Sequence, residues 1–309
     1  MTTRIAVVGA GAFGRQHLDA LTRAEDVQVT SVVSTEGARE VAKTYGVPHA
    51  TTDLAETLAD RDVDAVILCT PSPLHSAQAI AALRAGKHVQ VEIPLAESWA
   101  AAEAVDRVQR ETGLVCMVGH TRRYNPSHRW INRRVLDGEL TLQQLAVQTY
   151  FLRRSNINAL GQPRTWTDNL LWHHAAHTVD LFRHQTGQEI VRAGVLAGPP
   201  HPELGIPMDM SIQLLAAGGA ICTLSLSFNN DGPQGTVFRY ICDNGTYVGR
   251  YDELVTGDGK PVEIEESTSG VELQDREFVA AIRDGREPLT SVAEVLPSYR
   301  VLAGLARQY

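Results

Sequence analysis

The chain has 309 residues, 43% of them hydrophobic and 21% charged, which is typical of a folded globular protein and long enough for two domains. Its net charge of −8 argues against a nucleic-acid surface, so any anion site must be a local cluster of arginine or histidine. No uncharged apolar run approaches about 20 residues, so we expect no membrane span.

The first predicted strand, at 5–8, leads through a glycine-rich turn into a predicted helix at 13–22. The turn has the pattern G-x-G-x-x-G. Its first glycine permits a tight turn, the second a close approach of a pyrophosphate, and the third close packing of helix and strand. The helix N-terminus supplies free N–H groups for the phosphates. The pattern predicts a dinucleotide site at Gly9, Gly11, Ala12, Phe13 and Gly14.

Strand-like and helical runs alternate as far as residue 120. The further predicted strands are 27–33, 65–69, 88–91 and 115–118, and the further helices are 38–45, 54–58, 76–85 and 98–111. This alternation predicts βαβ units and a doubly wound parallel sheet, which binds ligands beyond the carboxyl ends of its strands.

The residues after the second strand bear on the choice of cofactor. An NAD enzyme usually carries an acid about twenty residues beyond the glycine turn, for the ribose 2′-hydroxyl. This chain has Ser34 and Thr35 there, with Arg39 nearby. A hydroxyl and a cation suit a 2′-phosphate, which favours NADP, whereas Glu36 opposes it and leaves NAD possible.

Two loops that follow strands are predicted to contact the cofactor. The first holds two prolines, which stiffen it, and ends at His75, which either contacts the nicotinamide or only flanks the next helix. The second follows the strand at 88–91. The predicted contacts in these loops are Thr70, Pro71, Ser72, His75, Glu92, Ile93 and Pro94.

After about residue 120 the pattern becomes mainly strands separated by turn residues, as in an antiparallel sheet. We therefore predict a dinucleotide-binding domain at 1–120 and a substrate-binding and oligomerisation domain at 121–309, and leave open whether its C-terminal helix packs back on the first domain. In the second domain the predicted helices are 127–136, 170–185, 273–284 and 292–307, and the predicted strands are 143–151, 191–196, 208–216, 220–228, 237–242 and 247–251.

One predicted helix concentrates titratable residues. His173 and His177 lie four apart and share a face, His174 lies three from His177, and Asp180 lies three beyond it. A carboxylate can orient a histidine ring and stabilise its charged form, and a histidine suits a general base near neutral pH. A metal site is the rival interpretation, but the glutamate of H-E-x-x-H is missing. We predict His177, His173 and Asp180 as catalytic residues, with His174 beside the substrate.

Arginine groups flank this helix in the sequence. Guanidinium groups bind carboxylates bidentately, so they suit a substrate with several carboxylates. Neighbours in a strand face opposite ways, so one residue of each doublet is expected to point inward. The predicted substrate contacts are Arg122, Arg123, Tyr124, Asn125, Arg153, Arg154, and, on the loop 160–169, Arg164 and Trp166.

The glycine turn, the loop at 70–75 and Glu92-Ile93-Pro94 together resemble the glucose–fructose oxidoreductase, inositol dehydrogenase and rhizopine-catabolism family. The resemblance implies an N-terminal Rossmann domain followed by an α+β domain on a large open, mainly antiparallel sheet. It also implies a cis bond before Pro94. The family's usual motif is Glu-Lys-Pro with the lysine near the reacting carbon, and Ile93 leaves that proton-transfer role empty.

Within this family, the segments 120–126, 153–158, 160–166, 172–180 and 225–232 resemble the 4-carboxy-2-hydroxymuconate-6-semialdehyde dehydrogenases of protocatechuate 4,5-cleavage. Relatives tend to carry arginine after the second strand, where this chain has Thr35 and Glu36. The resemblance implies NADP-dependent oxidation of the cyclic hemiacetal to 2-pyrone-4,6-dicarboxylate by direct hydride transfer, with His177 or His173 taking the hydroxyl proton.

Two other functions remain open at this stage: a sugar or inositol dehydrogenase, and a non-catalytic NADP-binding sensor. The absent lysine and the many arginines oppose the first, and the histidine cluster opposes the second. Because the predicted first strand begins at once and the four cysteines lie in apolar runs, we expect a cytoplasmic protein without a signal peptide. By fold analogy, the exposed face of the second sheet predicts a homodimer or larger homo-oligomer.

Overall fold

The computed structural model describes residues 2–157, 161, 163–164, 166–264 and 268–309. The chain divides into two compact units. Of the described residues, the first unit holds 2–119, 161 and 271–296, and the second holds 120–157, 163–164, 166–264, 268–270 and 297–309. The segment 271–296, predicted to lie in the second domain, thus belongs to the first unit.

The first unit is built on a six-stranded parallel sheet in the order β3-β2-β1-β4-β5-β6, which confirms the predicted doubly wound sheet. The central strand β4 is buried along its whole length, as expected for a sheet covered on both faces. The strands are β1 Thr3–Val8, β2 Val27–Val33, β3 His49–Thr51, β4 Ala65–Leu68, β5 His88–Val91 and β6 Cys116–Val118. The sequence analysis missed only the three-residue β3 among these strands.

Five helices alternate with these strands, close to their predicted bounds. They are α1 Ala12–Leu21, α2 Ala38–Tyr45, α3 Leu54–Ala59, α4 His75–Arg84 and α5 Trp99–Thr112. Two of them begin with side-chain caps, because Asp53 accepts from the Ala55 N–H and Ser98 from the Ala101 N–H. The glycine-rich turn therefore occupies the β1–α1 connection, at the carboxyl end of a central strand.

The second unit is built on a seven-stranded sheet in the order β13-β12-β11-β7-β10-β9-β8. Among its described pairs β7 and β10 are parallel and the others antiparallel, which confirms the predicted large, mainly antiparallel sheet. Its strands are β7 Leu142–Tyr150, β8 Ile190–Ala197, β9 Asp209–Ala216, β10 Ile221–Ser227, β11 Gly235–Cys242, β12 Gly245–Arg250 and β13 Glu253–Thr256. Burial alternates along β9, so one face of the sheet carries the core.

The helices of the second unit include α6 Pro126–Leu136, a π-helix at Leu170–Ala175 and α7 Ala176–Thr186. The chain then returns to the first unit through α8 Gly270–Asp284 and ends with α9 Val292–Ala306. The division between the units falls within α9, at Pro297. Among the described helices, none combines the length and apolar character that crossing a bilayer requires.

Candidate active site

The glycine-rich turn leaves open space in front of the α1 N-terminus. A Cβ on Gly11 would meet nothing within 4 Å, and Gly11 caps α1 without any side-chain hydrogen bond. A Cβ on Gly14 would lie 1.9 Å from the Gly9 carbonyl oxygen, while Gly9 itself has φ +113°. The close packing requires glycine at 14, and the open space beside Gly11 lies at the N-terminus of α1. This geometry fits the pyrophosphate of a dinucleotide.

The residues after β2 leave the cofactor choice open. Ser34 is half-buried and its N–H donates to the Thr51 carbonyl, whereas Thr35, Glu36 and Arg39 are exposed. Arg39 lies in the first turn of α2, which begins after Gly37 at φ +69°. The exposed cation and the exposed carboxylate thus lie three residues apart at the end of β2.

The loop after β4 is fixed internally by His75. The ring of His75 is 1% exposed, with Nδ1 2.8 Å from the Pro94 carbonyl oxygen and Nε2 2.7 Å from that of Thr70. Burial lowers the pKa of His75. Both ring nitrogens are engaged within the unit, which favours the role of flanking the next helix; the nicotinamide contact stays a prediction. Its alternative role, flanking the helix, agrees with its place as the first residue of α4.

Glu92 belongs to a buried polar network within the first unit, so its carboxylate already has hydrogen-bond partners. Its contact with the cofactor stays a prediction. Its Oε1 lies 3.2 Å from His17 Nε2 and accepts from Gln274 Nε2 at 3.0 Å. His17 Nδ1 lies 2.8 Å from Asp275 Oδ1, which also accepts from Gln90 Nε2 at 2.8 Å. These bonds tie α1 and β5 to α8 and explain why the segment 271–296 belongs to the first unit.

The charged groups of this network stabilise each other's ionised forms. Burial opposes the charged form of His17, but Asp275 raises its pKa well above its usual value. Burial likewise opposes the ionised form of Glu92, but His17 lowers its pKa. Ser72 is 4% exposed and Ile93 4%, and Pro94 is buried behind a cis bond from Ile93, as the resemblance implied.

The histidine-rich helix begins as a π-helix, which the sequence analysis did not predict. Asn169 starts it by accepting hydrogen bonds from the Leu171 and Trp172 N–H groups, at 2.8 and 3.3 Å. In a π-helix the backbone bonds run from i to i+5 and not to i+4, so side chains leave their regular α-helical positions. His173 and His174 lie in this segment with ring centroids 4.8 Å apart, and His177 follows in α7.

His177 is a half-buried, electrically neutral base candidate. Its Nδ1 is buried and has no hydrogen-bond partner among the residues that the structure describes. Its ring lies 6.0 Å from that of His120. Burial and the charge of Arg122 hold the pKa of His177 well below its usual value. The imidazole is therefore unprotonated near neutral pH and able to accept a proton.

Asp180 does not orient His177, contrary to the prediction. Its two oxygens accept from Arg123 Nε and Nη2, each at 2.7 Å, and Ser298 Oγ donates to Oδ1 at 3.2 Å. His120 Nδ1 lies 3.6 Å from Oδ2. Burial opposes ionisation, but the charge of Arg123 keeps the pKa of Asp180 well below its usual range. Arg123, 2% exposed, is therefore an internal ion-pair partner and not the predicted substrate contact.

Arg153 and Arg164 converge on one carboxylate. Asp168 Oδ2 accepts from Arg153 Nη2 at 2.9 Å and from Arg164 Nη1 at 2.6 Å. Burial opposes ionisation of Asp168, but His173 and the two arginines keep its pKa well below the usual range. Arg153 Nη1 and Arg164 Nε are buried without a hydrogen-bond partner in the described part of the chain. The cluster carries a net charge of plus one and two unfilled donors.

Arg122 is the third inward arginine and has no carboxylate bonded to it among the described residues. Its guanidinium carbon lies 5.3 Å from the ring centre of Phe238 and 5.1 Å from that of Tyr251. Its Nε is buried without a hydrogen-bond partner in the described ranges. Burial lowers the pKa of Arg122, yet an arginine stays charged at any physiological pH. It is a positive charge positioned against aromatic faces.

Other predicted substrate contacts lie elsewhere. Tyr124 is 3% exposed and lies in the core, and Asn125 donates to Asp252 Oδ1 at 2.6 Å. Arg154 is exposed and donates to Asn229 Oδ1 at 2.9 Å. Each of these three side chains is engaged in packing or with another partner, and its contact with a substrate stays a prediction.

Two predicted aromatic neighbours do lie beside the arginines and histidines. The Arg164 guanidinium carbon lies 4.7 Å from the Trp166 ring centre. The centre of the His174 ring lies 5.2 Å from the ring centre of Phe228 and 5.5 Å from that of Phe151. Of the loop predicted at 160–169, residues Leu160, Gln162 and Thr165 lie outside the described residues.

Three buried polar side chains of these clusters were not among the predicted site residues: Asp168, His120 and His17. Asp168 lies four residues after Arg164, a spacing that has no defined meaning in a loop. His120 directly follows β6, a position that could have marked it. No group of three or more His, Cys, Asp or Glu among the described residues is placed to hold a metal ion.

Comparison with known proteins identifies both halves of the chain. Residues 3–120 match the oxidoreductase family with an NAD-binding Rossmann fold, and residues 126–268 match the C-terminal domain of bacterial oxidoreductases. The chain is 64% identical to a 4-carboxy-2-hydroxymuconate-6-semialdehyde dehydrogenase of Sphingobium sp. strain NBRC 103272 / SYK-6, over 99% of this chain and 98% of that protein.

More distant relatives share the architecture. The chain is 26% identical to the NAD⁺-dependent scyllo-inositol 2-dehydrogenase of Bacillus subtilis strain 168, over 93% of this chain and 88% of that protein. A solved levoglucosan dehydrogenase in complex with NADH and levoglucosan superposes with a TM-score of 0.86 at 20% identity, over 100% of this chain and 97% of that one. The chain therefore belongs to the glucose–fructose oxidoreductase, inositol dehydrogenase and rhizopine-catabolism family and is an NAD(P)-dependent dehydrogenase.

Proposed function

We propose that this dehydrogenase oxidises the cyclic hemiacetal of 4-carboxy-2-hydroxymuconate-6-semialdehyde to 2-pyrone-4,6-dicarboxylate, with NADP as hydride acceptor. The observation that carries the proposal is the set of unfilled buried donors on Arg122, Arg153 and Arg164 in the unit that holds the histidines. The relative at 64% identity has the corresponding name.

Charge supports a substrate with two carboxylates. Arg122 contributes one positive charge, and the cluster of Arg153, Arg164 and Asp168 contributes one more. Guanidinium N–H groups are preferred donors to carboxylate oxygens, and these donors lack partners among the described residues. A polyol would leave both charges uncompensated, so the arrangement favours a dicarboxylate over a sugar or an inositol.

The proton acceptor we assign is His177. The hydroxyl proton of the hemiacetal passes to the neutral His177 imidazole, and the C–H bond of the same carbon is broken as its hydride leaves. The carbon becomes the carbonyl of the lactone. A bound nicotinamide supplies the hydride acceptor. Two carboxylates of the substrate would raise the pKa of His177 from its depressed value, because negative charge favours the imidazolium.

The preference for NADP rests on the residues after β2. The exposed Arg39 in the first turn of α2, with Ser34 at the end of the strand, supports binding of a 2′-phosphate. Glu36 opposes it by charge repulsion. Removing Glu36 should therefore raise the preference for NADP, and Arg39→Ala should lower it.

The test is to add the ring-cleavage product of protocatechuate 4,5-dioxygenase to the purified protein, with NADP and NAD in parallel. Absorbance of the reduced nicotinamide reports turnover, and the ratio of kcat/KM values gives the cofactor preference. The proposal requires reduction with this substrate and a higher kcat/KM for NADP. A protein that binds the cofactor but reduces it only with a polyol would contradict it.

We also propose that copies of the chain associate through the outer face of the second sheet. The edge strand β8 leaves Leu196 79% exposed, and Ile221 on β10 is 43% exposed. Apolar side chains exposed on a sheet favour association. Light scattering on the wild type and on Leu196→Asp should give a homo-oligomer that the substitution dissociates; a monomeric wild type would contradict this.

A further inference from the structure

We propose that Asp168 is a positioning residue, which holds Arg153 and Arg164 as one clamp for a single carboxylate group of the substrate. This inference rests on the proposed function, because it concerns the recognition of a dicarboxylate. Asp168 was not among the residues predicted from the sequence, and the role assigned to it does not involve hydride transfer.

The first support is that one oxygen serves both arginines. Asp168 Oδ2 accepts from Arg153 Nη2 and Arg164 Nη1, at 2.9 and 2.6 Å, although these arginines come from two stretches of chain. Two guanidinium groups brought this close repel each other unless an anion lies between them. Asp168 is 5% exposed, so the attraction is little screened by water.

The second support is the donor nitrogens of the two arginines that have no partner among the described residues. Each guanidinium keeps a buried nitrogen without a hydrogen-bond partner among the described residues, Nη1 of Arg153 and Nε of Arg164. Each guanidinium also lies against an aromatic ring at 4.7 Å, Phe228 for Arg153 and Trp166 for Arg164. With one edge bound by Asp168 and one face packed, both groups are fixed before a ligand arrives.

The third support is the charge that results. Two arginines alone would present two positive charges, and Asp168 reduces them to one, which matches one carboxylate. His173 Nδ1 lies 3.8 Å from Asp168 Oδ1, so the second oxygen faces the histidine-rich helix. The clamp of Arg153, Arg164 and Asp168 therefore lies beside the histidines of the same unit.

The test compares Asp168→Ala with Asp168→Asn in wild-type enzyme and in the double variant Arg153→Ala/Arg164→Ala. In wild type, D168A should raise KM for the semialdehyde about tenfold, with kcat within about threefold, because a buried partner of two charged donors is lost. D168N, which keeps an oxygen acceptor, should raise KM about threefold or less. In the double variant, neither substitution should change KM further, because the residues through which Asp168 acts are gone.

A D168A effect that persists in the double variant would show a general structural role and overturn the inference. An unchanged KM in D168A and D168N would overturn it as well, while leaving the proposed function standing. If D168A fails to fold, the same cycle with D168N decides. A wild type that never turns over the semialdehyde would overturn the proposed function and this inference together.

Discussion

The two units each contain a buried polar cluster, and the clusters differ in how completely their hydrogen bonds are filled. In the first unit, both ring nitrogens of His17 face carboxylates, and Glu92 and Asp275 have further amide donors. In the second, Arg122, Arg153 and Arg164 each keep a buried nitrogen without a partner among the described residues. In the first cluster every charged group is paired, which stabilises a fold, whereas the unpartnered arginine donors of the second are open to a ligand.

The difference is also energetic. An unpartnered buried donor costs about 1–3 kcal/mol, and the second cluster carries several such atoms. In the proposed function, a dicarboxylate would fill them and recover this cost on binding. We therefore expect substitutions in the first cluster to lower stability, and substitutions in the second to impair catalysis or substrate binding.

The largest expected effect is on turnover. His177→Ala should lower kcat by about 10²–10⁴-fold, because a general base contributes that much to proton transfer, while nicotinamide binding stays unchanged. Stopped-flow assays and cofactor titration measure the two quantities. His201→Ala, which lies outside the histidine-rich helix, serves as the control. A His177→Ala enzyme with near wild-type kcat would show that the base is another group.

In the first cluster, we expect a substitution to change stability rather than turnover. His17→Ala should lower the free energy of unfolding by about 3–5 kcal/mol, because it leaves buried carboxylates without their cation. Urea denaturation of the purified variants measures this loss. The control is His49→Ala, an exposed residue in β3, which should change stability by less than about 0.5 kcal/mol. Equal stability of the two variants would contradict a structural role for His17.

Arg122→Ala should separate binding from stability. We expect KM for the semialdehyde to rise about 10–100-fold, the usual worth of a charged hydrogen bond. We expect little loss of stability, because Arg122 is attracted by Asp252 but no carboxylate among the described residues forms a hydrogen-bonded ion pair with it. Steady-state kinetics and thermal unfolding test both parts. Arg192→Ala, an exposed arginine on β8, is the matched control. A destabilised Arg122→Ala protein with unchanged KM would show that Arg122 stabilises the fold and does not bind the substrate.

The smallest expected effect is a pH dependence of stability. The raised pKa of His17 means that its contribution is fully present below about pH 6.5, its unfolded value, and is lost as pH rises through the folded pKa. The lowered pKa of Glu92 gives a contribution that is lost as pH falls through its folded pKa. Urea unfolding across pH should show the alkaline loss in wild type and not in His17→Ala. An equal alkaline slope in both would contradict the assignment.

What the sequence predicted well depends on local pattern. The glycine turn, the alternating elements and the parallel sheet follow from residues within one or two elements of each other. These features required no knowledge of distant contacts.

What it did not predict depends on residues brought together from afar. Asp275 lies 258 positions from His17, and nothing near Glu92 shows that its carboxylate is already engaged. Asp180 lies three positions from His177 yet pairs with Arg123, 57 positions away. The π-helix shifts His173 and His174 from positions that a regular helix would give.

The most direct test of the central claim, that the unfilled arginine donors recognise two carboxylates, is calorimetric titration with 2-pyrone-4,6-dicarboxylate and with the corresponding pyrone that has one carboxylate. We predict that wild type binds the dicarboxylate at least about tenfold more tightly, the worth of one charged contact, and that Arg122→Ala removes this difference. Equal affinity for the two ligands in wild type would contradict the claim.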